Sequence, residues 1–172
     1  MGRISADRQG FLLIDANVLV DYLAVDIGIL SLVSRHIGPV HVVSTVLGEV
    51  DGLDASDCER LGFRVVEPSL EQAIDAASPS GRLSFADRLC FVLCRDNDWT
   101  CVSNDRALRR TCESIGVTVL WGLELMLELV TRGHLPAADA LSTAEQMHRA
   151  NPAFLGAPVL MAFRDKLPKA PG

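Results

Sequence analysis

No uncharged apolar run in this 172-residue chain approaches the roughly 18 residues that a bilayer-spanning helix needs. The first ten residues, MGRISADRQG, are polar and charged and lack the apolar stretch of a secretory leader. The expected location is therefore the cytoplasm, with no membrane contact. Cysteine occurs without a pairing pattern: Cys58, Cys90, Cys94, Cys101 and Cys112 are odd in number and none forms CxxC. His36, His41, His134 and His148 lack ligand spacing too. Both absences speak against zinc and leave hard cations held by oxygen as the metals to consider. Cys90 and Cys94, four apart on a predicted helix, are expected to act as small core hydrophobes. Internal repeats and low-complexity tracts are missing as well.

A positive charge balance is also lacking. Lys and Arg number 16 against 22 Asp and Glu, a net charge of −6, and phosphate attraction favours basic surfaces. Two features weaken that objection to a nucleic-acid ligand. Acids gathered in one metal site would be neutralised there by cations. A local basic group, Arg106, Arg109 and Arg110, follows directly after Asp105.

The chain does have the composition of a globular protein, 49% hydrophobic and 22% charged. Its apolar runs are short and alternate with helical periodicity. Strands are predicted at 11–14 (FLLI), 40–44, 63–67, 100–103 and 117–121. Helices are predicted at 17–24, 26–36, 45–51, 69–77, 84–96, 105–115 and 122–132, with 136–166 helical and broken near Asn151-Pro152. Such alternation implies βαβ units. The expected fold is a three-layer α/β/α sandwich around a mainly parallel sheet of about four to five strands, followed by C-terminal helices. One domain is expected over 1–172: a core at 11–121, a helical extension at 122–166 and a disordered tail at 167–172.

In open α/β sheets ligands bind beyond the carboxyl ends of the strands. Asp15 follows the strand FLLI, Ser103, Asn104 and Asp105 follow TCV, and Glu49 lies in the helix predicted after the second strand. Each acid has a plainer explanation. Asp15 is a good helix N-cap. Glu49, three residues after Val46, suits a boundary residue that reaches water. Asp105 suits the first turn of a helix capped by Ser103 or Asn104. Asp87 completes a capping box with Ser84. Its helix, LSFADRLCFVLCRDND, shows almost no polar face and is expected to be buried all round, which makes a lone carboxylate there expensive. Asp21, beside Tyr22, reads as solvated.

Taken together, the order and context of these acids resemble the PIN-domain nuclease family. Asp15-Ala16-Asn17 matches its strand-terminal D-x-N, and Glu49 its glutamate after the second strand. Leu83-Ser84-Phe85-Ala86-Asp87 matches its l-s-x-x-D helix, and Ser103-Asn104-Asp105 its [ST]-N-D. The resemblance spans roughly 11 to 121. It implies a metal-dependent endoribonuclease in which Asp15, Glu49, Asp87 and Asp105 hold Mg²⁺ or Mn²⁺, with Asp15 and Asp87 leading. Asn17, Ser103 and Asn104 are the supporting residues, and Arg106, Arg109 and Arg110 contact substrate phosphates. RNA is the implied substrate. Many such proteins are toxins of VapBC-type toxin–antitoxin pairs, so the implied protein partner is a cognate antitoxin. This chain departs from a compact toxin in its helical region after about residue 125.

Rival readings are an inactive nucleic-acid-binding or adaptor domain of the same fold, and a phosphatase or receiver domain. The retained acids argue against the first. Asn17, standing where an aspartyl phosphatase wants a second Asp, argues against the phosphatase. A homodimer is also expected, because Leu19, Val20, Leu23, Ile27, Ile29, Leu30, Leu32 and Val33 supply more apolar surface than one sheet face needs.

Overall fold

A computed structural model of the chain describes residues 10–79 and 81–168. Five strands, β1 (Leu12–Ile14), β2 (Val40–Val43), β3 (Arg64–Val66), β4 (Thr100–Val102) and β5 (Val119–Leu120), form one all-parallel sheet in the order β3-β2-β1-β4-β5. Each lies within a run predicted from the sequence. Position in the sheet explains composition: β1, β2 and β4 are covered on both faces and are uniformly buried, whereas the edge strand β3 exposes Arg64 and Val65. Helices flank the sheet, giving the expected three-layer architecture.

The helices are α1 (Ala16–Leu23), α2 (Gly28–His36), α3 (Ser44–Leu47), α4 (Ala55–Leu61), α5 (Leu70–Ala77), α6 (Phe85–Asn97), α7 (Arg106–Ser114), α8 (Gly122–Thr131), α9 (Ala137–Ala150) and α10 (Ala157–Lys166). Three expectations need correction. The helix predicted at 45–51 is the single turn α3, so Glu49 lies in the turn that follows. Helix α4 was unforeseen. It starts on a reciprocal capping box between Asp54 and Asp57 and stops at Gly62, whose φ of 79° is left-handed. The tail expected from 167 begins later, in that Leu167 is the C-cap of α10, while 169–172 lie outside the described residues.

Buried residues from Leu12 to Phe163 join in one hydrophobic cluster, so α8, α9 and α10 pack onto the same core as the sheet. The apolar residues of α1 and α2 go mostly into it. Leu19, Ile29, Leu30 and Val33 are buried, Leu23, Ile27 and Leu32 pack against it partly buried, and Val20 alone of the eight is exposed, at 47%. All five cysteines are free and buried. Among the described residues no helix is long and apolar enough to cross a membrane.

Leu89 of α6 is fully buried. Leu89→Ala should cost about 2–5 kcal/mol, by lost transfer energy plus the cavity left behind. Denaturant unfolding should show a lower midpoint at unchanged slope. A loss below about 1 kcal/mol would mean that α6 is not packed on the sheet in this way.

Candidate functional site

The chain builds β1, β2 and β3 outward in one direction, then crosses to build β4 and β5 in the other. The crevice of such a sheet opens at the carboxyl ends of the two strands where the order reverses, here β1 and β4. Asp15 is the residue after β1, and 103–105 is the turn after β4. Helix α6 leads into β4 and so runs back from the same edge, with Asp87 in its first turn.

Asp15 is 2% exposed and is the N-cap of α1, its Oδ1 accepting from the Ala16 N–H at 2.7 Å. Its backbone N–H donates to the Val102 carbonyl, tying the end of β1 to β4. The Ser103 hydroxyl donates to Asp15 Oδ2 at 2.8 Å and accepts from the Asp105 N–H at 3.0 Å. One buried hydroxyl thus joins the two strand-end acids. Asp105 itself, rather than Ser103 or Asn104, is the N-cap of α7, with Oδ1 accepting from the Leu108 N–H at 2.7 Å. Asp87 does form its capping box, with Oδ2 accepting from the Ser84 N–H at 2.8 Å.

Burial raises the Asp15 carboxyl from 3.8 to about 6. The Ser103 hydrogen bond opposes this, and the charges of Asp87 and Asp105 add to it. Three carboxylates therefore share one electrostatic neighbourhood. Asp87 Oδ1 and Asp105 Oδ2 take no hydrogen bond among the described residues. The donor chemistry, acidic oxygens with two uncommitted, suits a hard cation. Among the described residues, however, no three His, Cys, Asp or Glu side chains already stand as a group that could hold a metal. Each of the three acids also spends one oxygen on a helix start.

The other residues read from the sequence are placed less centrally. Glu49 is exposed, and no hydrogen bond or ion pair joins it to the three aspartates. Asn17 is partly buried in the first turn of α1. Helix α6 is not buried all round, because Phe85 is 42% exposed and Asp87 partly so. Arg88 donates to the Ala76 and Leu83 carbonyls and pins α5 to the start of α6. Arg106 and Arg110 are exposed. Arg109 instead lies over the Trp121 ring at 3.7 Å, beside Glu113 at 3.7 Å, and burial lowers its pKa.

The sequence reading missed Asp21. Far from solvated, it is 4% exposed. Asn104 Nδ2 donates to its Oδ2 at 3.0 Å and Asn151 Nδ2 to its Oδ1 at 2.9 Å. Burial raises its pKa and the two carboxamides oppose that. The signal was present: Asp21 is three residues after Val18 and falls on the buried stripe Val18, Leu19, Tyr22. Asn104 is correspondingly committed to structure, its Oδ1 accepting from the Gly122 N–H at 2.9 Å.

No protein-family model and no curated protein matches the chain. Among solved structures, a PilT N-terminus domain protein from the hyperthermophilic archaeon Sulfolobus solfataricus matches with a TM-score of 0.51 at 15% identity, over 69% of this chain and 92% of that one. The chain therefore has a PilT N-terminus (PIN)-like fold, with Asp15, Ser103 and Asp105 at the carboxyl edge of its sheet.

Proposed function

We propose that this protein is a divalent-metal-dependent endoribonuclease whose site is built on Asp15, Asp87 and Asp105. The observation that carries the reading is the Asp15 carboxyl, buried at the switch point of the sheet and bonded to Ser103, which burial raises to about 6 and to which the charges of Asp87 and Asp105 add. Acids gathered at such a cost to the metal-free fold are the pattern of a cation site. Mg²⁺ or Mn²⁺ held there supplies Lewis acidity toward a phosphodiester and offsets the mutual repulsion of the carboxylates. Asp15, Asp87 and Asp105 hold it. Ser103 bonds the Asp15 carboxylate and the Asp105 backbone N–H at once, and the β1–β4 backbone bond keeps the two strand ends together. Arg106 and Arg110, exposed on α7 beside Asp105, meet the phosphates of the RNA. The finer reading, drawn from the motif resemblance, is a toxin held in check by an antitoxin protein.

The test is incubation of the purified protein with defined single-stranded RNAs, in EDTA and in Mn²⁺ or Mg²⁺. Cleavage only with metal is expected. Binding without cleavage in either condition would replace this reading with that of a nucleic-acid-binding domain. Glu49 gives a separate expectation. Because Asp87 and Asp105 act on Asp15 and no bond ties Glu49 to them, Glu49→Gln should lose about tenfold or less, whereas Asp87→Asn should lose on the order of a hundredfold. Equal losses measured on one RNA would put Glu49 among the principal ligands.

A further inference from the structure

We propose that Asp21 and Asn151 are positioning residues for the carboxylate site: the Asp21 carboxylate, clamped between Asn104 and Asn151, lets the segment after α9 fix the turn at 103–105. The catalytic consequence rests on the nuclease reading, whereas the clamp itself does not.

The hydrogen bonds close a ring. Asp21 and Tyr22 are neighbours on α1. The Tyr22 hydroxyl donates to the Gly122 carbonyl at 2.8 Å, the Gly122 N–H donates to Asn104 Oδ1, and Asn104 Nδ2 donates to Asp21 Oδ2. The Gly122 bond fixes which way the Asn104 carboxamide faces, so its NH₂ must find an acceptor at Asp21. The Asn104 carboxamide is packed close against Gly122: a Cβ there would meet both its carboxamide atoms, and Val18, at 3.3 Å. Asn104 stands between Ser103, whose hydroxyl joins Asp15 to Asp105, and Asp105, the cap of α7. Any displacement of Asn104 is passed to both neighbours through one peptide unit on each side.

Asn151 enters this ring from outside, at the other oxygen of Asp21. It is the C-cap of α9, where the chain turns toward α10. A carboxylate can accept from two carboxamides at once, whereas an amide at position 21 has only one acceptor oxygen. An apolar residue would serve helix packing at least as well as a buried charge. The acid is explained by the geometry it imposes on two segments 47 residues apart, counting from Asn104 to Asn151.

Two substitutions test this. N151D sets a second acid against Asp21 in place of a donor. The reversed pair D21N/N151D again puts a donor opposite an acceptor at both junctions. In N151D, kcat in Mn²⁺ should fall about tenfold or more with KM for RNA little changed, measured well below the melting temperature. The amide resonances of Ser103 and Asp105 should move. D21N/N151D should return kcat to within about threefold and bring the resonances back. If N151D does not fold, Asn151→Ala, which withdraws the donor without adding a charge, should show the same loss in milder form. Unmoved Ser103 and Asp105 amides, or a lower melting temperature at unchanged kcat, would overturn the proposal, as would a folded D21N/N151D that does not recover. If the parent protein cleaves no RNA, the nuclease reading fails, and the amide resonances still decide the clamp.

Discussion

Asp15→Asn should lose metal-dependent cleavage by at least about a hundredfold, while its metal-free form melts no lower than the parent at neutral pH. The two halves of this result come from one cause. The rise of the Asp15 carboxyl from 3.8 to about 6 corresponds to about 3 kcal/mol against the ionised form in the folded state. The folded state binds this proton more tightly than the unfolded chain. The associated stability is fully present below about pH 3.8 and is gone above about pH 6. An amide at this position carries no charge and escapes the penalty. It loses part of the bonding to the Ala16 N–H and Ser103, worth about 1 kcal/mol. The net gain of about 1–2 kcal/mol raises the melting temperature by about 2–4 °C per kcal/mol for a chain of this size. His41, whose pKa burial lowers, titrates in the opposite sense. The quantity to measure is therefore the parent-minus-variant difference across pH 4 to 8, from which His41 cancels. That difference should open between about pH 4 and 6 and stay level above. If Asp15 only capped α1, Asp15→Asn would leave cleavage intact, because asparagine caps a helix about as well as aspartate.

Mn²⁺ should stabilise the parent at neutral pH by roughly 2.7 kcal/mol at a hundredfold excess over its Kd, because the cation binds the folded state and not the unfolded one. In Asp87→Asn the same addition should do much less. One charged holding group is gone, and with it part of the repulsion on Asp15. Thermal melts in EDTA and in Mn²⁺, run on both proteins, give the comparison. The capping role of Asp87 makes a control necessary: Ser84→Ala disturbs the same box from its other side and leaves the carboxylate in place. It should lower the melting temperature in both conditions and preserve the Mn²⁺ shift. An equal Mn²⁺ shift in parent and Asp87→Asn would reduce Asp87 to a helix-capping residue.

The centre of the sheet was legible because β1, β2 and β4 are buried on both faces. FLLI, VHVV and TCV are short, mainly apolar runs with no competing helical period. The helix starts at Asp15 and Ser84 were legible through capping chemistry, which also located their carboxylates, whereas the cap of α7 was read as Ser103 or Asn104 and is Asp105. What escaped were charged or polar residues whose environment is set by distant segments. Asp21 stands on the buried stripe of α1, but the carboxamides that satisfy its charge, Asn104 and Asn151, come from 83 and 130 residues further along. Arg109 leaves the basic group because Trp121 offers it a ring. Glu49 is exposed because α3 stops after four residues, before its periodicity reaches that position. Helix α4 escaped because its seven residues are too few for a period, although Asp54 and Asp57 carried its capping signal.

The five buried cysteines have a consequence for how the protein ages. Burial pushes the Cys58, Cys90 and Cys94 thiols up, and the neighbouring Cys101 does the same for Cys112. The reactive thiolate is thus scarce while the chain is folded, and reagents reach the sulfurs only through opening. Oxidants should act on the folded protein slowly, at a rate set by local unfolding rather than by their concentration. Once the chain has opened, all five thiols are exposed together, and an odd number cannot be satisfied by internal pairing. Under oxidising conditions each unfolding event then risks a cross-link between chains, which turns a reversible transition into a one-way loss.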